Sequence, residues 1–231
     1  MNLLVLETSA EPCSVAIYSR GNLQIKMEVD AEQRSRNILV MLASLLEEAN
    51  LLPSQLDGIV WSAGPGSFTG LRMGASVCQA IAFVHQLPIL SLSSLKMHAQ
   101  SVVGLSDASE GSHIAVAIDA RMGEIYLASF VCKGGQLQYL CEDQLVPANP
   151  EAILARLDEG NSWLLAGDGW EAAGMGIGQN RWFDTAGTLV SSLVSLAVQA
   201  PAQEWCKNPE DCTPRYLRGA TQWKKRQRIR T

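Results

Sequence analysis

His113-Ile114-Ala115-Val116-Ala117-Ile118-Asp119, then Ala120-Arg121-Met122-Gly123, then Glu124-Ile125-Tyr126-Leu127-Ala128-Ser129-Phe130 reads as a strand ending in an acid, a tight turn and a second strand. Gly134-Gly135 and a third strand near 137–141 complete the group. The start of the chain repeats this order. Leu3-Leu4-Val5-Leu6-Glu7 is an apolar strand ending in an acid, and Cys13-Ser14-Val15-Ala16-Ile17-Tyr18 is a second strand. After the turn signal Arg20-Gly21-Asn22, residues 23–29 alternate with period two. No residue-level repeat survives, but the order of elements does, and it predicts a duplicated α/β core with two lobes.

Between the two groups the pattern predicts a helix over 32–50, a strand from Gly58, a helix over 71–85 and a short strand over 88–91. A further helix over 95–103 follows, with Ser93 and Ser94 as its cap. Residues 104–112 are small and polar and mark the domain boundary, giving lobes over 1–104 and 112–213 and a basic segment over 214–231. The second lobe reads as reduced: a helix over 151–158, a strand over 163–166, a glycine-rich run through Gly178 and a helix over 189–199.

The 231 residues are long enough to bury a full core, and 47% apolar with 18% charged residues is ordinary for a globular protein. Net charge is −5, unevenly spread: seven of the eighteen basic residues and no acid fall in 215–231, leaving eleven against twenty-three acids in the body. An acidic body is a poor primary binder of nucleic acid, because phosphate neutralisation supplies most of that affinity. The first residues show no basic run and meet an acid at Glu7, and no apolar stretch is long enough to span a bilayer, so the expected location is cytoplasmic, away from membranes. The six cysteines contain no C-x-x-C pair and read as reduced thiols. His85, His98 and His113 share no helix face, so no metal site is expected and each reads as a surface or capping residue.

Gly64-Pro65-Gly66-Ser67-Phe68-Thr69-Gly70-Leu71-Arg72 joins a strand to a helix, the setting in which backbone N–H groups converge on an anion. A Walker loop requires a second glycine five positions after the first and then lysine; Thr69 stands there and no lysine follows. The dinucleotide fingerprint fails as well, because its third glycine falls on Thr69. The alternative is a tight turn whose glycines let helix and strand approach. The helices on either side of this strand are too apolar for a surface. Ile38-Leu39-Val40-Met41-Leu42-Ala43 is apolar almost all round, and from 72 to 84 the second helix carries the single charge of Arg72. Packed by one face on a sheet, they would still expose several hundred Å2, which suits a protein partner.

The segments Leu6-Glu7-Thr8-Ser9, Gly64 to Arg72, Ile118 to Tyr126 and Pro214-Arg215-Tyr216-Leu217-Arg218 resemble, over essentially the whole length, the TsaB (YeaZ) family of tRNA threonylcarbamoyladenosine synthesis proteins. The resemblance implies an α/β fold of two actin-like lobes with mixed sheets, of the acetate-kinase, sugar-kinase, Hsp70 and actin superfamily. It implies a non-catalytic subunit without cofactor that docks its apolar helices on the catalytic subunit TsaD. By the same resemblance the ATPase TsaE would join the pair and tRNA would be engaged only through the complex, and the one apolar surface predicts that the chain pairs with itself when alone. Helical spacing places the docking surface at Arg36, Leu39, Val40, Ala43, Leu71, Arg72, Gly74, Ala75, Val77 and Cys78. This sequence departs from the family at Gln33-Arg34-Ser35, where a histidine often stands, and at Ser9, where nucleotide-binding relatives have glycine. The competing reading is an actin-like kinase or ATPase with magnesium on Glu7 and Asp119; in the docking reading these acids cap strand ends and turns. A metallopeptidase lacks its histidine pair.

Overall fold

The computed structural model describes residues 1–30, 32–157, 160–176 and 178–219. The basic run of the C-terminal segment, from Trp223 to Arg230, and Asp158 of the predicted second-lobe helix lie outside them. The first sheet is built from β1 (Asn2–Glu7), β2 (Cys13–Ser19), β3 (Asn22–Glu28), β4 (Gly58–Gly64) and β5 (Ile89–Ser93), in the order β3-β2-β1-β4-β5. The hairpins pair antiparallel, and β4 and β5 add in parallel through α1 (Arg34–Glu48) and α2 (Phe68–His85). The second sheet holds β6 (His113–Arg121), β7 (Glu124–Lys133), β8 (Gln136–Pro147), β9 (Trp163–Ala166) and β10 (Arg181–Phe183). Its order from β8, β8-β7-β6-β9-β10, repeats the first with the same senses of pairing. The duplication predicted from element order is therefore complete at the level of the sheets. The reduction falls on the crossover helices: α4 (Pro150–Leu154) has 5 residues and α5 (Gly169–Ala172) has 4, against 15 and 18 for α1 and α2.

Each lobe ends in a helix, α3 (Ser94–Leu105) and α6 (Leu189–Gln199), and these two pack together between the sheets. Alternation along the strands sorts the core into layers. Leu4, Leu6, Ile59 and Trp61 face Ile38, Met41 and Leu45 of α1 and Ala75, Cys78 and Ala82 of α2. Leu3, Val5, Val60 and Leu90 face the other way, onto Leu193, Leu196 and Ala197 of α6 and Met97 of α3. The far side of α3 (Leu95, Ala99, Val102) packs on Ile114, Val116 and Phe130, and α4 and α5 cover the last face through Ile153 and Trp170. Buried hydroxyls tie the central helices, with Ser101 Oγ and Ser192 Oγ 2.7 Å apart.

Element ends moved by a few residues for local reasons. α2 begins at Phe68 rather than 71 because Ser67 caps it, its Oγ accepting the Gly70 N–H. α1 begins at Arg34 and α3 runs on to Leu105, with Ser93 Oγ accepting from Lys96 N. α4 starts at Pro150 behind the Asn149 cap and stops at Leu154, short of the predicted helix. β10 was not foreseen.

Candidate functional site

Two surfaces stand out: a cleft between the lobes, and the outer faces of α1 and α2. The cleft measures about 680 Å3 and is bounded by the β1–β2 turn, the glycine loop after β4, the β6–β7 turn and the loop ahead of α6. Residues 215–218 lie along it and touch both lobes.

The glycine loop is a packing joint. A Cβ on Gly70 would lie 1.9 Å from the Thr8 carbonyl oxygen, one on Gly66 2.5 Å from the Ser9 oxygen, and one on Gly74 2.4 Å from Thr8 Oγ1. The loop and the first turns of α2 therefore sit directly on the turn after β1. Of the N–H groups that would cradle an anion, Ser67 N donates to Ser9 O at 2.8 Å and Gly70 N to Ser67 Oγ at 3.3 Å. Ser94 Oγ donates to the Pro65 carbonyl and fastens the loop to α3. The second lobe uses the same device, since a Cβ on Gly167 would meet Ala117 O at 2.0 Å.

The acids that end β1 and lie near the end of β6 serve these turns. Glu7 is buried, and its Oε1 accepts from Ser9 N (2.7 Å), Ser9 Oγ (2.6 Å) and Ala10 N (2.9 Å). Burial raises its pKa against the lowering effect of these bonds. Asp119 Oδ1 accepts from Arg121 N at 2.8 Å, its Oδ2 pairs with Arg121 Nη1 at 3.0 Å, and its own N–H donates to Asp168 Oδ1 at 2.9 Å. The described residues contain no group of three His, Cys, Asp or Glu arranged to hold a metal ion.

His98 departs from the surface or capping role expected of it. It is 9% exposed at the base of the cleft, with Nδ1 2.6 Å from Thr185 Oγ1, a residue 87 positions away. Burial pulls its pKa from 6.5 down to about 4, partly opposed by Asp168. Between these values the unfolded chain holds a proton on His98 that the folded chain does not, so stability falls as pH drops from 6.5 toward 4. The expected loss across that window is on the order of 3 kcal/mol. Urea midpoints measured from pH 7 to 4.5 should show this slope in the wild type and a shallower one in His98→Gln.

The segment over 213–219 straps the lobes together. Arg215 N donates to Ala63 O at 2.7 Å, and the Tyr216 ring meets Phe68 at 5.5 Å. Arg72 lies 4.0 Å over the Phe68 ring and donates from Nε to Tyr216 OH at 3.2 Å. On the second lobe, buried Arg218 donates from Nη2 to Glu124 Oε2 (2.5 Å), Ala120 O (3.1 Å) and Arg121 O (3.2 Å). It thereby holds a strained turn, in which Arg121 and Met122 both take left-handed backbone angles (φ 64° and 62°). Arg218→Ala is expected to cost about 2 kcal/mol in urea unfolding, and Arg218→Lys to recover only part of it, because one ammonium cannot replace the Nε donor to Glu124 Oε2 (3.1 Å) together with the Nη2 donor to the same carboxylate and the two carbonyls.

The positions predicted to face a partner divide in two. Arg36, Leu39, Val40 and Ala43 form an outward stripe on α1 at spacings of three, four and seven, with Leu39 57% and Val40 65% exposed. Arg72 is exposed on α2 and Val77 is half-buried. Leu71, Gly74, Ala75 and Cys78 require correction: all four are buried inside this chain, against β4 and the β1–β2 turn, and present no side chain to a partner. The outward face of α2 is instead Thr69, Arg72, Ser76, Ala80 and Phe83, the last 72% exposed.

Two lobes of matching 3-2-1-4-5 topology, with their terminal helices packed between them and a cleft at the turns, define an actin-like protein. Comparisons narrow the class. The family model described as TsaD, tRNA N6-adenosine threonylcarbamoyltransferase, matches residues 26–162. The tRNA threonylcarbamoyladenosine biosynthesis protein TsaB of Haemophilus influenzae is 32% identical over 234 residues, covering 97% of each chain, and that of Escherichia coli is 28% identical over 233 residues, covering 97% of this chain and 98% of its own. The solved structure of YeaZ from Pseudomonas aeruginosa superposes with a TM-score of 0.77 at 32% identity, covering 94% of this chain and 99% of its own. The chain belongs to the TsaB (YeaZ) family.

Proposed function

We propose that this chain takes part in making threonylcarbamoyladenosine in tRNA as the non-catalytic partner of a TsaD-type transferase, with TsaE joining the pair. The observation that carries the reading is the α1 stripe. Leu39, Val40 and Ala43 leave an apolar ridge in solvent, with Arg36 one turn before it, while Ile38, Met41 and Leu45 on the opposite face already satisfy the core. A helix with two apolar faces has one too many for an isolated chain. The relatives' names support the pathway, and the match of residues 26–162, a range that includes α1 and α2, to a transferase family supports a homologous transferase as the partner. In this reading the glycine loop is a joint that sets the angle of α2. The complex acts on tRNA through its catalytic subunit.

Reconstitution tests this. Transfer of threonylcarbamoyl from its adenylate to tRNA by the TsaD from the same genome should be at least tenfold faster with this chain than without it. Equal rates, or ATP turnover by the chain alone, would contradict the reading and return attention to the cleft.

A further inference from the structure

Away from the cleft and the helix faces, two thiols converge on one carbonyl. Cys206 Sγ donates to Asn208 O at 3.1 Å, and Cys212 Sγ lies 3.8 Å from the same oxygen. The thiols also interact, Cys206 being one of the groups that raise the Cys212 pKa. The short helical turn Pro209–Asp211 produces this by reversing the chain between them. Both ends are pinned. Cys206 pairs through its N–H and carbonyl with Ile89 at the edge of β5 (2.8 Å each), and the Cys212 carbonyl accepts from Gln79 Nε2 at 3.0 Å. Cys206 is half-buried and Cys212 buried, and burial together with Cys206 pushes the Cys212 thiol up to about 12.

We infer that Cys206 and Cys212 form an internal disulfide when the chain meets a low-molecular-weight disulfide. Cys206, the thiol that solvent reaches, attacks one sulfur of the small disulfide, forms a mixed disulfide and releases one small thiol. Cys212, losing its proton, then attacks the Cys206 sulfur and expels the second small thiol, so the two thiol protons end on the two released molecules. Burial and its high pKa protect Cys212 from reacting first. Cys78 also couples electrostatically to Cys212 but is fully enclosed on α2. The bond closes the loop immediately ahead of the strap and fixes the point from which it crosses the cleft.

The test is to incubate the full chain with oxidised glutathione, denature it, alkylate the remaining thiols and map the tryptic peptides without reduction. Cleavage after Lys207 separates the two cysteines. The expected product is peptide 182–207 joined to 208–215, with four of the six cysteines alkylated and the link absent from Cys206→Ser and Cys212→Ser. Glutathione adducts on separate peptides without the link, or a Cys78–Cys212 link in the wild type, would overturn the inference.

Discussion

Gly70→Ala is expected to abolish most soluble protein, with a loss of about 3 kcal/mol or more in any fraction that folds. The added Cβ would stand 1.9 Å from the Thr8 carbonyl oxygen, where neither side has a flexible atom to give. Relief requires sliding α2 off the β1–β2 turn, which would strip Ser67 N from Ser9 O and disturb the packing of Leu71 and Cys78. The matched control is Gly104→Ala. That glycine lies inside α3 with nothing within 4 Å of its would-be Cβ, so alanine there should stabilise by roughly 0.5–1 kcal/mol. Thermal melts of the two variants should move in opposite directions. A tolerated Gly70→Ala would mean that the loop is more open than this packing allows.

The second large effect is expected on binding rather than folding. Leu39→Glu combined with Val40→Glu places two carboxylates on the outward stripe of α1, where both wild-type side chains are more than half exposed. The melting temperature should stay within a degree or two of wild type, since exposed substitutions change stability by about 0.5 kcal/mol or less. Affinity for the proposed TsaD-type partner should fall by roughly 30-fold or more, the loss typical of central contacts replaced by unpaired charge. Val77→Glu is the poorer variant. Val77 is half-buried and packs against the core, so losses of fold and of binding would be confounded. Isothermal titration against the purified partner, with circular dichroism on the same samples, separates the two effects. Undiminished affinity would remove α1 from the interface.

What the sequence disclosed follows from how local each signal is. Strand, acid, turn and strand are neighbours along the chain, so the duplication could be read directly, and the common sheet order follows from it. β10 escaped because Arg181-Trp182-Phe183 is three residues after a glycine-rich run, too short to alternate, and it is a strand only because β9 is there to pair with it. The helices were visible as apolar, but spacing alone does not reveal which of two apolar faces meets the sheet. This is why Leu71, Gly74, Ala75 and Cys78 were placed outward when they belong to the core. The use of the glycines depends on Thr8 and Ser9, and the burial of His98 on Thr185, all distant in sequence. Arg218 lies in a segment that carries the family resemblance, yet its work on the left-handed turn at Arg121 and Met122 needs the fold to be seen.

Whether the α1 ridge pairs with a transferase is decided by sedimentation velocity of this chain, alone and mixed with the TsaD of the same genome. A new species at the mass of a one-to-one complex is expected at micromolar concentration, lost when Leu39 and Val40 carry glutamate. Independent sedimentation of the two proteins at those concentrations would contradict it.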